Sequence, residues 1–148
     1  MERALAVVDA EESTKALVRE AGELAAAVDA ELVLLHVTTN DEYEKTRQTM
    51  ESIPNDVVGY SAEQARVGAE NFAADIGREV LDGVDVEWEA VGALGDEQNQ
   101  ILQTADQRDC DHLFIAGEKR SPAGKALFGD LTQSIILNFD GPVTVVTE

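Results

Sequence analysis

Four short runs of uninterrupted apolar residues constrain this chain most: Ala4-Leu-Ala-Val-Val8, Leu32-Val-Leu-Leu35 within residues 31–37, Leu113-Phe-Ile-Ala116 and Val143-Thr-Val-Val146, where only Thr144 interrupts. A strand with one wet face alternates polar and apolar residues; a continuous run belongs to a strand covered on both faces. Such strands need helices above and below them. The intervening sequence supplies these. Leu17, Ala21, Leu24, Ala25 and Val28 recur at helical spacing after Ser13, which is expected to cap their helix. Ala65, Ala69, Phe72, Ala73, Ile76 and Val80 predict a long helix over 61–82 that stops near Gly83. Asp96 is placed to cap a helix using Ile101, Leu102 and Ala105, and a short helix is predicted from Asp130 to Asn138.

Residues 84–91 alternate apolar and polar, which predicts an edge strand, followed by a turn at Gly92-Ala-Leu-Gly95. Residues 38–60 turn polar and read as a loose helix and a connection, whose role the sequence does not disclose. Strands alternating with helices imply right-handed parallel crossovers. The fold class expected is α/β: one domain over 1–148, a doubly wound, Rossmann-like five-stranded parallel sheet with helices on both faces. In such sheets ligands sit beyond the carboxyl ends of the strands, where Asp9, Val37 and Gly117 stand.

Thirty Asp and Glu against eleven Lys and Arg leave a formal net charge of −19. That surface repels nucleic acid and anionic membranes, so neither is expected as a partner. It also suits a cytosol of very high salt, where self-repulsion is screened within a few ångströms. A lone Cys110 cannot form an internal disulfide, two histidines give no zinc-ligand spacing, and no segment reads as a signal peptide or membrane span. The expected location is cytoplasmic. His36, His112 and Cys110 read as structural, and no catalytic constellation is expected.

Against this acidity, Ala116-Gly-Glu-Lys-Arg-Ser-Pro-Ala-Gly-Lys-Ala-Leu-Phe-Gly-Asp130 holds three glycines and three basic residues between a strand and a helix. Backbone N–H groups and a helix N-terminus at such a turn suit phosphate. Ion pairing of Lys119, Arg120 and Lys125 with the acidic exterior is the alternative. The loop is not a Walker A motif: six residues separate Gly117 from Gly124 and Ala126 follows Lys125. Nor is it a dinucleotide fingerprint, because Asp9-Ala-Glu-Glu12 after the first strand has no glycine. Asp130 could serve as the N-cap of the last helix.

The order of elements, Asp9, Leu34-Leu-His-Val37, the run from Cys110 to Gly117, and Phe128-Gly-Asp-Leu-Thr-Gln-Ser134 before Gly141-Pro-Val-Thr-Val-Val146 together resemble the universal stress proteins. The resemblance covers the whole chain. It implies an adenine-nucleotide-binding type of crevice, with ATP or AMP and Mg²⁺ as ligands and at most slow, incidental hydrolysis. Members that bind ATP carry G-x2-G-x9-G-[ST] after the fourth strand. Gly117 and Gly129 match its first and last glycines; the spacing is one residue shorter, Arg120 replaces the second glycine, and Asp130 replaces the hydroxyl residue. Ser121, Gly124 and Lys125 complete the loop implied to meet phosphate. Asp9 is implied to approach ribose or a metal ion, and the Val37 backbone to meet adenine. Asp130 would join the metal only through Mg²⁺. The resemblance also implies a homodimer paired through the last strand. These departures leave two readings open: a nucleotide-responsive regulatory module, or a dimeric interaction and signalling module of the same fold that binds no nucleotide.

Overall fold

In a computed structural model, which describes residues 1–52, 60–117 and 129–147, the element order is β1 (Arg3–Val7), α1 (Ser13–Ala27), β2 (Glu31–Thr38), α2 (Asn40–Glu51), α3 (Ala62–Val80), β3 (Trp88–Leu94), α4 (Glu97–Gln107), β4 (His112–Gly117), α5 (Asp130–Asn138) and β5 (Val143–Thr147). All strands pair in parallel, in the order β3-β2-β1-β4-β5. The expected doubly wound sheet is therefore present. Its two faces divide the apolar runs by parity. Ala4, Ala6 and Val8 of the first run join Leu32, Leu34 and Phe114 beneath α1 and α3. Leu5 and Val7 join Val33, Leu35, Leu113 and Ile115 beneath α4 and α5. Each face carries fully buried residues, which is why these strands contain no polar alternation.

The helices form where their apolar faces and caps agree. Thr39 and Glu42 form a reciprocal capping box on α2, as Ser61 and Gln64 do on α3, and Asp96 accepts from the Asn99 N–H at the start of α4. α2 buries no residue, in keeping with its polar sequence. α1 and α4 end through Asp29 and Asp109 in the left-handed region at φ 59° and 55°, and Ala30 and Cys110 N–H groups return to Ala25 and Ala105 carbonyls at 2.8 Å each.

Three local expectations are corrected. Ser13 is the first residue of α1 and Glu12 occupies the cap position without a side-chain cap bond, because Ser13 already has helical backbone. Asp130 likewise lies inside α5, and Gly129 is the N-cap residue. The third strand runs over 88–94, so Gly92, Ala93 and Leu94 are strand rather than turn. Val84 and Val86 precede it and pack on the core beneath α3, which accounts for their strand-like alternation. β3 and β5 are the sheet margins, as expected of the alternating segment.

Gly92 continues the strand because α3 crosses it closely. A Cβ there would lie 2.1 Å from the Arg66 carbonyl oxygen and 2.4 Å from the Glu70 nitrogen, both backbone atoms that cannot turn aside. Gly68, exposed on the same helix, would meet nothing within 4 Å. Gly92→Ala is expected to lower the unfolding free energy by about 1–3 kcal/mol, and Gly68→Ala to raise it by about 0.5–1 kcal/mol. Urea unfolding of the two variants checks both signs.

Candidate functional site

Four hydrogen bonds assemble one crevice beyond the strand carboxyl ends. The Asp9 N–H donates to Thr14 Oγ1 at 3.0 Å, while Asp9 Oδ1 accepts from the Glu11 N–H at 2.8 Å, so an Asx turn holds Asp9 between β1 and α1. Thr132 Oγ1 donates to the Ala116 carbonyl at 3.1 Å and fastens the first turn of α5 to the end of β4. His36 Nδ1 lies 2.6 Å from the Val8 carbonyl. A carbonyl only accepts, so Nδ1 carries the proton and ties β2 to β1. The His36 ring also packs on Phe72 at 4.5 Å, which bears out its structural reading.

The result is two adjoining clefts. One is lined by Asp9, Glu11, Glu12, Gly117, Gly129 and Asp130; the other includes Val37, His36, Glu42 and Glu97. They share Asp9, Ala116, Leu131 and Thr132 and so form one crevice. It sits beside adjacent β1 and β4, where the strand order reverses, the place a doubly wound sheet offers a ligand.

Of the residues picked out in the sequence, the structure brings Asp9, Val37, Gly117, Gly129 and Asp130 to this crevice. Arg120, Ser121, Gly124 and Lys125 lie outside the described residues. Thr14, Thr132, Glu42, Leu131 and Glu97 were not foreseen. Each belongs to the first turn of a helix that follows a strand, a position that could have flagged it.

The described lining is acidic. Asp9, Glu11, Glu12, Glu42, Glu97 and Asp130 face the two clefts, with no Lys or Arg among the described lining residues. Lys15, in the first turn of α1, pairs instead with Glu79 at 3.2 Å and Glu12 at 3.4 Å. Burial, reinforced by Glu42 and then Asp9, pushes the Glu97 carboxyl above its ordinary range. No group of three or more His, Cys, Asp or Glu that could hold a metal occurs among the described residues. A lone divalent ion therefore lacks a ready-made cage there, although Asp9 and Asp130 fit the one or two carboxylates that accompany Mg²⁺ bound through phosphate.

At the opposite end of the sheet, His112 Nε2 meets Thr144 Oγ1 at 2.7 Å, and its ring stacks on Phe114. Cys110 is buried, and burial raises its thiol to about 11, so it stays protonated near neutral pH. Both are structural, as expected. No helix among the described residues is long and apolar enough to cross a membrane.

Fold and crevice together define a doubly wound α/β protein with an open crevice at its topological switch point. The universal stress protein family model matches residues 1–147, and the chain belongs to that family. It is similar to the universal stress protein UspA from Lactobacillus plantarum, with TM-score 0.70, 18% identity, and coverage of 98% of this chain and 97% of that one. A universal stress protein solved in complex with cAMP matches at TM-score 0.65 and 16% identity, over 99% and 96% of the two chains. One from Archaeoglobus fulgidus, in complex with dAMP, matches at 0.58 and 17%, over 98% and 96%. At these identities the likeness establishes the fold. No curated protein sequence matches the chain.

The Glu97 carboxyl supplies a stability test. Its raised folded-state value means that the folded protein holds this proton more tightly than the unfolded chain. The favourable contribution is present below the unfolded value and is lost as pH rises through the folded one. Glu97→Gln should therefore gain stability relative to wild type as pH rises above the ordinary carboxylate range, measured as the difference in urea midpoints. A difference that is flat with pH contradicts the assignment.

Proposed function

We propose that the protein is a nucleotide-responsive regulatory module that holds ATP, AMP or another phosphorylated small molecule in this crevice. The observation that carries the reading is the convergence of Asp9, Gly117, Gly129 and the α5 N-terminus on one cleft at the switch point. Unpaired N–H groups and the positive dipole end of α5 favour phosphate there. The Val37 end of the crevice offers room for the base. The relatives solved with cAMP and dAMP support the same chemistry.

Asp130 works against a bare phosphate. At about 4 Å the repulsion is roughly 1 kcal/mol in water and about 4 kcal/mol at an effective dielectric of about 20. Mg²⁺ arriving with the phosphates reverses the sign by making Asp130, or Asp9, a ligand. The basic residues Lys119, Arg120 and Lys125 provide further positive charge in the sequence between Gly117 and Gly129. The acidic surface supports a protein that works in a salt-rich cytoplasm.

A second reading rests on a different observation. β5 pairs with β4 alone among the described residues, its Val143, Val145 and Val146 are half-buried, and α5 exposes Ile136 at 41% and Leu137 at 81%. An apolar open edge of this kind favours a second copy, so we propose a homodimer through β5. In this reading the dimer acts by protein contact and the crevice is empty of nucleotide in function.

ATP titration in molar KCl separates the two. Without Mg²⁺, Asp130→Ser is expected to tighten binding by roughly a hundredfold, and with Mg²⁺ the gain should shrink. If wild type binds no ATP under either condition while Asp130→Ser does, the interaction reading holds. If neither binds at millimolar ATP, the crevice is not an adenine-nucleotide site. Sedimentation in the same buffer should show a dimer, and a monomer overturns the β5 pairing.

A further inference from the structure

β3 is the margin of the sheet opposite β5 and pairs with β2 alone among the described residues. The Leu32 N–H donates to the Glu87 carbonyl at 2.9 Å, and the Gly95 N–H donates to the Thr38 carbonyl at 3.0 Å. In the register of this pair, the odd-numbered residues from 87 to 95 therefore turn their peptide groups toward β2. Peptide groups alternate between the two sides of a strand, so Ala90, Gly92 and Leu94 point theirs outward. No described backbone or side-chain group bonds to them there. Open edges are ordinarily guarded by charged side chains, proline or a bulge. Residues 90–94, Ala-Val-Gly-Ala-Leu, carry no charge and no proline, and their pairing with β2 runs without a bulge.

The surface beside this edge is chemically unlike its surroundings. The crevice has an acidic lining, and grooves beside Trp88 and beside Asp29 are also lined by carboxyl groups. The groove along residues 91–94 has no Asp or Glu among its described lining residues. Arg66 of α3 stands on one wall, and Gln100, Gln103 and Gln107 of α4 stand on the other with Arg108. The three glutamines follow helical spacing along one face, and their amides have no hydrogen-bond partner among the described residues. Arg66 pairs with Glu63 at 3.0 Å and Arg108 with Glu89 at 2.7 Å. Exposed pairs of this kind are weak and exchange readily for another carboxylate.

We propose that β3 is a docking edge for an extended acidic segment of a partner protein, which adds a further strand to the sheet. The outward N–H and C=O groups of Ala90, Gly92 and Leu94 supply the backbone pairing. The guanidinium groups of Arg66 and Arg108 receive carboxylates of the segment, and the α4 amides donate to its remaining oxygens. Gly92 is part of the device: a Cβ there would lie 2.1 Å from the Arg66 carbonyl oxygen, so its absence lets α3 bring Arg66 down beside the edge. On a chain of net charge −19, this groove is matched in charge to an acidic segment. A second copy of the chain is a poorer occupant. Pairing β3 with itself about a two-fold axis presents the same patch from both sides and sets arginine against arginine.

The test is an NMR titration of the full chain with an end-blocked peptide of alternating Glu and Val. It is run in about 1 M KCl, where a Debye length of about 3 Å screens the long-range repulsion between two acidic molecules. Saturable amide shifts should centre on Ala90, Gly92 and Leu94 and leave the crevice amides of Asp9 and Gly117 unmoved. The peptide should bind at least about tenfold more tightly than its counterpart of alternating Lys and Val. Methylating the peptide's backbone nitrogens removes its donors to the edge and should abolish binding. Arg66→Gln combined with Arg108→Gln, both at surface positions, should erase the preference for Glu over Lys. Shifts centred on the crevice, binding that survives methylation, a preference that survives in the double variant, or no binding at millimolar peptide each overturns the proposal. Sedimentation of the peptide-free protein adds one more outcome: assembly beyond a dimer that the Glu-Val peptide cannot displace makes a second copy the occupant and overturns it as well.

Discussion

Burial of β1 on both faces, with β2 and β4 at its sides, is the constraint from which the rest of the structure follows. Ala4, Leu5 and Ala6 are fully buried, and neighbouring Leu32, Leu34, Leu35, Leu113 and Phe114 are at most 1% exposed. Each fully buried large side chain of this kind contributes about 1.5–3 kcal/mol relative to exposure. A sheet buried in this way must be covered by two layers of helix, and parallel crossovers deliver them. Once β1 and β4 are neighbours and their chains leave toward opposite faces, a crevice opens beyond their ends. The candidate site is thus a consequence of how the core is covered.

The polar groups at the crevice are fixed from the same source. Thr14 and Thr132 are buried, and their hydroxyls find partners at Asp9 and Ala116. Buried hydroxyls need such partners, and here meeting that need sets the entry of α1 and α5. The acidic rim stands apart from this core. Six carboxylates in the described lining make the crevice a poor host for a bare anion and a better one for a phosphate that brings a cation. The departure at Asp130 belongs to that pattern and is not an isolated change.

Much of this was legible in the sequence where the signal was local. α5 begins and ends as its composition implied, and α3 falls within two residues of its predicted bounds, because apolar spacing and flanking polar residues agree. Position-specific signals were less reliable. Ser13 and Asp130 look like caps, yet each sits one residue inside its helix. Gly92 looks like a turn, and only the α3 backbone passing over it explains a glycine in mid-strand. Asp9, Val37 and Gly117 were found because strand ends carry the ligand crevice, and Gly129 through the family resemblance. Glu42 and Glu97 were not, since they meet Asp9 across gaps of more than thirty residues, which no periodicity encodes.

The central claim is that ligand meets this protein at the junction of β1, β4 and α5. Backbone amide shifts in an NMR titration with ATP and Mg²⁺ test it most directly. The account predicts the largest changes at Asp9, Val37, Gly117, Gly129 and Leu131, with the β3 margin around Arg66 and Gln103 unmoved. Saturable changes centred on that margin, with the five crevice amides unaffected, would contradict it.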